Sequence, residues 1–159
     1  FLIDGADRPA NPYLLPAQGQ VRNAALSGFG AVTLSISPAA GPKRSVCTLE
    51  ASTEAQQERG LMGQRSLHGF AGMSFVFASP SSALFYMKNT LIPLSLAWFD
   101  PSGAYLASAV MPVCRPGTVC PTYAAGRPFT LALEVPAGGL SALGIGPGAS
   151  VAVGAPCSA

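Results

Sequence analysis

Apolar and polar residues alternate most regularly at Val32-Thr33-Leu34-Ser35-Ile36-Ser37, a half-buried strand by its period. After a loop over residues 38–43, Val46-Cys47-Thr48-Leu49-Glu50-Ala51 reads as a second strand and hairpin partner. The pattern then changes. Thr53 and Gln56 have the spacing of a capping box, and Glu54 falls in the first turn, where the helix dipole favours an acid. A short helix is predicted from there to Leu61 and Met62, ended by Gly63. Gly69 and Gly72 flank a loop before the strand Met73-Ser74-Phe75-Val76-Phe77, and Ser79-Pro80-Ser81-Ser82 reads as a turn. Residues 84–87 and 94–99 read as buried strands. Asp100-Pro101-Ser102-Gly103 is a turn, with Pro second and Gly fourth, and residues 104–113 form the next strand. Phe129, Leu131, Leu133 and Val135 alternate with Thr130, Ala132 and Glu134, which predicts a strand with those two sets on opposite faces. Residues 138–144 suit one helical turn, and Val151-Ala152-Val153 a last strand. About eight short strands, with one short helix after the second, predict a mainly β fold: a small closed or nearly closed β-barrel, which would also remove exposed edges.

Two stretches break this rhythm. Lys88-Asn89-Thr90 interrupts the apolar region between residues 84 and 99. Turn chemistry would favour Gly, Asp or Pro there, so the trio reads as polar groups held on a rigid apolar frame. Residues 1–30 alternate poorly, and Pro9, Pro12 and Pro16 exclude a long helix. They read as an extended N-terminal arm or tether, with residues 31–159 as one β-barrel-like domain. The arm carries Phe1, Leu2, Ile3, Tyr13, Leu14 and Leu15, which suits contact with its own domain or with a neighbouring copy. The plainer alternative is a spacer between a membrane anchor or signal and the domain.

Composition narrows the class. Hydrophobic residues make up 49% and charged residues 10%, against a typical charged share of roughly 25%. The 18 glycines and 15 prolines fit many short strands joined by turns. Nine basic residues are scattered and the net charge is +2, so there is no basic stripe for nucleic acid. The uncharged run from Val135 to Ala159 is broken by Pro136, Pro147 and Pro156, so no transmembrane segment is expected. Cys114 and Cys120 bracket a short loop, and an even count of four cysteines favours disulfides. Cys47 and Cys157 then pair by elimination, although four cysteines allow three connectivities. Disulfides imply an oxidising compartment, and thus an exported protein: periplasmic, cell-surface or extracellular. Phe1 in place of a Met is consistent with removal of an export signal, or with a chain trimmed at that point. A thiol metal site with His68 is the rival reading, weakened by the absence of a C-x-x-C pair.

Several of these stretches carry a family pattern. They are Glu58-Arg59-Gly60-Leu61-Met62, Gly72-Met73-Ser74-Phe75-Val76-Phe77, Met87-Lys88-Asn89-Thr90 with Ile92-Pro93-Leu94, and Leu133-Glu134-Val135 with Gly138. In order and spacing they resemble the family called domain of unknown function 192, over roughly residues 46–153. The resemblance implies a compact β-barrel-like domain of bacteria and archaea, often behind an export signal, with no established activity. Two positions depart from the pattern. Tyr86 stands where family members usually have Trp, and Ser95 where they usually have Asp. A cation or chemistry served by that acid would be lost here.

Arg59, Lys88, Asn89 and Glu134 are the polar residues embedded in these motifs. As ligand-binding candidates they would line a small pocket, with Lys88 and Arg59 meeting an anionic group and Asn89 fixing its orientation. The competing and preferred reading is a buried structural network, in which Glu134 pairs with Lys88 or Arg59. His68 is the single histidine and no Gly-x-Ser-x-Gly elbow occurs, so no catalytic residue is assigned. Met62, Met73, Met87 and Met111 could be soft copper ligands but sit among apolar residues, where Met fills core gaps. No metal or cofactor is expected. The preferred function is an exported, non-catalytic binding or accessory domain, its partner an unidentified small molecule or cell-envelope component. Self-association through the N-terminal arm, making an extracellular structural subunit, is the alternative. An enzyme of unknown reaction ranks last.

Overall fold

The alternating segment near residue 32 forms β1 (Gly30–Ser37), and β2 (Arg44–Ala51) returns antiparallel to it, with Gly30 opposite Glu50 and Ile36 opposite Arg44. A computed structural model of the chain describes residues 26–159. Of the expected arm, residues 1–25 therefore lie outside the described residues, while Leu26 and Phe29 are buried in the core. The self-association reading rests on the same arm.

The capping box forms as its spacing predicts. The Gln56 amide donates to Thr53 Oγ1 at 3.2 Å, and Gln56 Oε1 accepts from the Thr53 amide at 3.0 Å. It opens α1 (Glu54–Arg59), which stops at Gly60, short of the expected end at Gly63. Gly60 takes φ 48°, a conformation open to glycine, and its amide closes the helix on the Gln56 carbonyl. Gln57 is buried and donates from Nε2 to the carbonyls of Ala51 (3.1 Å) and Val76 (2.9 Å). That amide pins the helix across two strands.

The chain crosses over to β3 (Met73–Ser81), which runs parallel to β2 with Leu49 opposite Met73. The turn expected at residues 79–82 is instead the end of this strand. Its pairing is irregular there, with a register shift between Val76 and Ser81. The strand expected at 84–87 shrinks to β4 (Phe85–Tyr86). Then come β5 (Leu94–Phe99), β6 (Tyr105–Met111), β7 (Thr122–Tyr123), β8 (Phe129–Pro136), α2 (Gly139–Ala142) and β9 (Ser150–Pro156). Among the described residues the fold is mainly β with two short helices, the one expected after the second strand and α2, which is the helical turn expected at residues 138–144.

Among the described residues seven strands form one sheet in the order β6-β5-β8-β3-β2-β1-β9, and β4 and β7 form a separate two-stranded sheet. The expected barrel is not closed. Among the described residues the edge strands β6 and β9 meet only at one bridge, Ala104 to Ser150. Two bonds flank it, from the Tyr105 amide to the Ala149 carbonyl (3.0 Å) and from the Val151 amide to the Gly103 carbonyl (2.9 Å). Beyond that corner each edge is solvent-facing, with Val110 66% and Val153 40% exposed.

Two apolar clusters cover opposite faces of the sheet. Leu94, Leu96 and Trp98 of β5 belong to one, Ala97 and Phe99 to the other, so this central strand is buried throughout. The first cluster is strongly aromatic: Phe85 meets Phe75 edge to face at 5.2 Å and Trp98 at 6.2 Å. Phe129 breaks the predicted parity of β8. It joins the first cluster, against Phe77 at 5.1 Å, whereas Leu131, Leu133 and Val135 join the second. The β3 register shift beside Phe129 accounts for the exception.

Candidate binding groove

Three irregular pieces of chain meet beside the small sheet. The first is the turn after β4. Its Thr90 amide donates to the Met87 carbonyl at 3.1 Å, and Asn89 sits at φ 57°, a left-handed conformation that Asn tolerates better than most residues. The Asn89 carbonyl accepts from the Gly63 amide at 2.9 Å, which ties the turn to the segment after α1. Met87 and Thr90 are buried at its base, while Lys88 and Asn89 are exposed. The trio is thus a tight turn with asparagine supplying the turn chemistry.

The second piece is the C-terminal end of α1. Arg59 packs its guanidinium over the Phe29 ring at 4.7 Å and donates from an Nη to the Ser27 carbonyl at 2.7 Å. The third is the loop closed by the Cys114–Cys120 disulfide. Within it Thr118 donates to the Arg115 carbonyl from both its amide (3.2 Å) and its hydroxyl (2.6 Å). The other disulfide joins Cys47 to Cys157, so both expected pairings form and no free thiol remains for the thiol metal site.

Together these pieces enclose a groove of about 910 Å³. The ladder pairing Tyr86 with Thr122 joins its two walls. Arg59, Lys88 and Arg115 line it, and among the described residues no carboxylate does. Leu91, Val113 and Val119 supply an apolar share, exposed to solvent at 41%, 45% and 98%. Burial, and then the charge of Glu58, push the Tyr86 phenol above its ordinary pKa, so it stays neutral at physiological pH.

Of the four candidates, Arg59, Lys88 and Asn89 come together at this groove and Glu134 does not line it. Glu134 is fully buried on β8, opposite Met73 of β3 and Leu96 of β5. Sequence reasoning missed Arg115, Val113 and Val119. The available signal is a cystine loop that carries Arg115 and Val119, with Val113 directly before it. Ser95, at the position where an acid was expected, is buried and accepts from the Gly138 amide at 3.0 Å. It therefore anchors the segment before α2. Met73, Met87 and Met111 are core residues, while Met62 is half-buried at the groove. No group of three metal-ligating side chains occurs among the described residues. Nor is any of their helices long and apolar enough to cross a membrane.

Among curated proteins no match is found. Two crystal structures resemble the fold. A protein of unknown function from Novosphingobium aromaticivorans DSM 12444 is 28% identical, over 93% of this chain and 99% of that one, with a TM-score of 0.71. A protein from Sinorhizobium meliloti 1021, provisionally assigned as a transcription regulator, is 24% identical, over 79% of this chain and 95% of that one, with a TM-score of 0.69. At that identity the second likeness shows the fold alone. The model of one family, described as an uncharacterized ACR, matches residues 38–153, which contain the 86–91 segment, the cystine loop and every strand from β2 to β8; the chain belongs to the DUF192 family.

Proposed function

We propose that the chain is an exported, non-catalytic binding or accessory module that takes a small ligand in the groove around Met87-Lys88-Asn89-Thr90. One observation carries the reading: solvent-exposed aliphatic residues and three cationic side chains line a single concavity, with no lining carboxylate among the described residues. Concave sites that are mostly apolar, with a few placed polar groups, are the usual form of ligand pockets. Export is supported by the two disulfides, which persist in oxidising compartments.

The test is an amide NMR screen of the unreduced protein with small aliphatic and aromatic fragments. Shifts should cluster at residues 86–91 and 113–122 and weaken in Lys88→Ala, whose circular dichroism should match wild type because Lys88 is exposed. Shifts scattered evenly over the surface would sink the binding reading. An unfolded Lys88→Ala would make the segment a structural network instead.

A further inference from the structure

We infer that the groove selects an amphipathic organic anion: an acyl or aryl chain ending in one carboxylate or phosphate. This rests on the binding reading above and names its ligand class. Charge complementarity is the first argument. The cationic groups come from three separate elements: Arg59 from the end of α1, Lys88 from the turn and Arg115 from the cystine loop. Glu58 acts on Tyr86 but does not line the groove. With Tyr86 held neutral, the lining among the described residues contributes positive charge and neutral hydrogen-bonding groups.

Shape is the second argument. A free inorganic anion would need only the cations, yet Leu91, Val113 and Val119 stay exposed in the same concavity. Side chains of that kind gain from covering an apolar body. Burial of one methylene is worth about fourfold in affinity, so even a short chain adds markedly to a charged head. Val119 lies within the cystine loop that carries Arg115, and Val113 directly precedes it, so head and tail recognition share one wall.

The experiment titrates four octyl probes, octanoate, octyl phosphate, octylamine and octyl glucoside, into the unreduced full chain, followed by amide shifts and calorimetry. Octanoate and octyl phosphate should both shift residues 86–91 and 113–122, and whichever binds tighter identifies the head group. Octylamine should bind at least about tenfold more weakly, as expected when a cation replaces the anionic partner of charged donors. Hexanoate, shorter by two methylenes, should bind about fifteenfold more weakly than octanoate. Arg115→Ala should weaken octanoate about threefold to tenfold and leave octyl glucoside unchanged. Raising salt from about 0.01 M to about 1 M should erode the preference for anions as the Debye length falls from about 30 Å to about 3 Å. Octylamine or octyl glucoside equalling octanoate in the groove would overturn this inference and leave the binding reading standing. If no probe shifts the groove, both fail.

Discussion

The two disulfides close loops of very different length, and that difference fixes an order of stabilities. Cys47 and Cys157 are 110 residues apart, Cys114 and Cys120 only 6. In the chain-entropy treatment, closing the long loop restricts the unfolded chain by about 4.8 kcal/mol and the short one by about 2.2 kcal/mol. The perturbation is a pair of double variants, Cys47→Ala with Cys157→Ala, and Cys114→Ala with Cys120→Ala. Urea unfolding is the assay. With a denaturant slope of about 2 kcal/mol/M, the long-loop variant should lose about 2.4 M of midpoint and the short-loop variant about 1.1 M. Structure adds to the long-loop loss. Cys47 lies on β2 opposite Thr33 of β1, and the Cys157 amide donates to the Ala31 carbonyl, so that cystine clamps the edge strand β9 onto its neighbours. Amide exchange at residues 151–155 should therefore quicken only in the long-loop variant. Equal midpoint losses, or a larger loss from the short loop, would refute the reasoning. Residual structure in the unfolded chain would then outweigh closure entropy.

Gly72→Ala should cost about 2–3 kcal/mol by urea unfolding, because the added methyl would press on the Glu134 carbonyl oxygen and lie 2.8 Å from Val135 Cγ1. Gln57→Leu should cost about 1–3 kcal/mol in the same assay, since it strands the Ala51 and Val76 carbonyls that the amide now serves. Asp100 gives a pH signature. Its carboxyl is held below the usual carboxylate value, chiefly by the Ser102 hydroxyl, then by the Ala104 and Ser102 amides and the charge of Arg127, with burial opposing. A depressed folded pKa stabilises above the unfolded value of about 3.9 and is lost as pH falls through the folded value. Melting temperatures of wild type and Asp100→Ala should thus differ steadily near neutral pH and draw together in acid below that value.

Local signals in the sequence were the ones that survived folding. The Thr53–Gln56 box, the turn at Asp100 and the strand at Leu94–Phe99 depend on near neighbours, and each appears where its residues place it. Cysteine pairing was legible because the short loop left one partner for Cys47. What failed were features set by distant partners. Phe129 obeys the register of β3 and joins the aromatic cluster of Phe77 and Phe85, overriding its own alternation. Closure of the barrel depended on β6 and β9 staying together beyond Ala104 and Ser150, and no period within either strand encodes that. The parallel pairing of β2 with β3 was invisible for the same reason.

The groove shows how the same limit bears on function. Arg59 and Lys88 stood out because they lie inside recognisable motifs, whereas Arg115 belongs to a loop whose motif is only a cystine. Their meeting depends on two contacts that no local pattern predicts, the Gly63 amide on the Asn89 carbonyl and Tyr86 paired with Thr122, together with the legible disulfide that bends residues 114–120 back on themselves. Each holds backbone while leaving the cationic side chains at the lining. Glu134 is the counterexample. It is as deeply embedded in a motif as Lys88, yet it points into the core beside Leu96 and Met73, where an acid serves the interior. Presence in a motif thus did not separate a groove residue from a core one. Position did: Lys88 occupies a turn whose neighbours Met87 and Thr90 are buried beneath it, and Glu134 occupies the middle of a strand covered on both faces. Substitution should respect that split, with changes at Lys88 and Arg115 read out in ligand affinity and changes at Glu134 in stability.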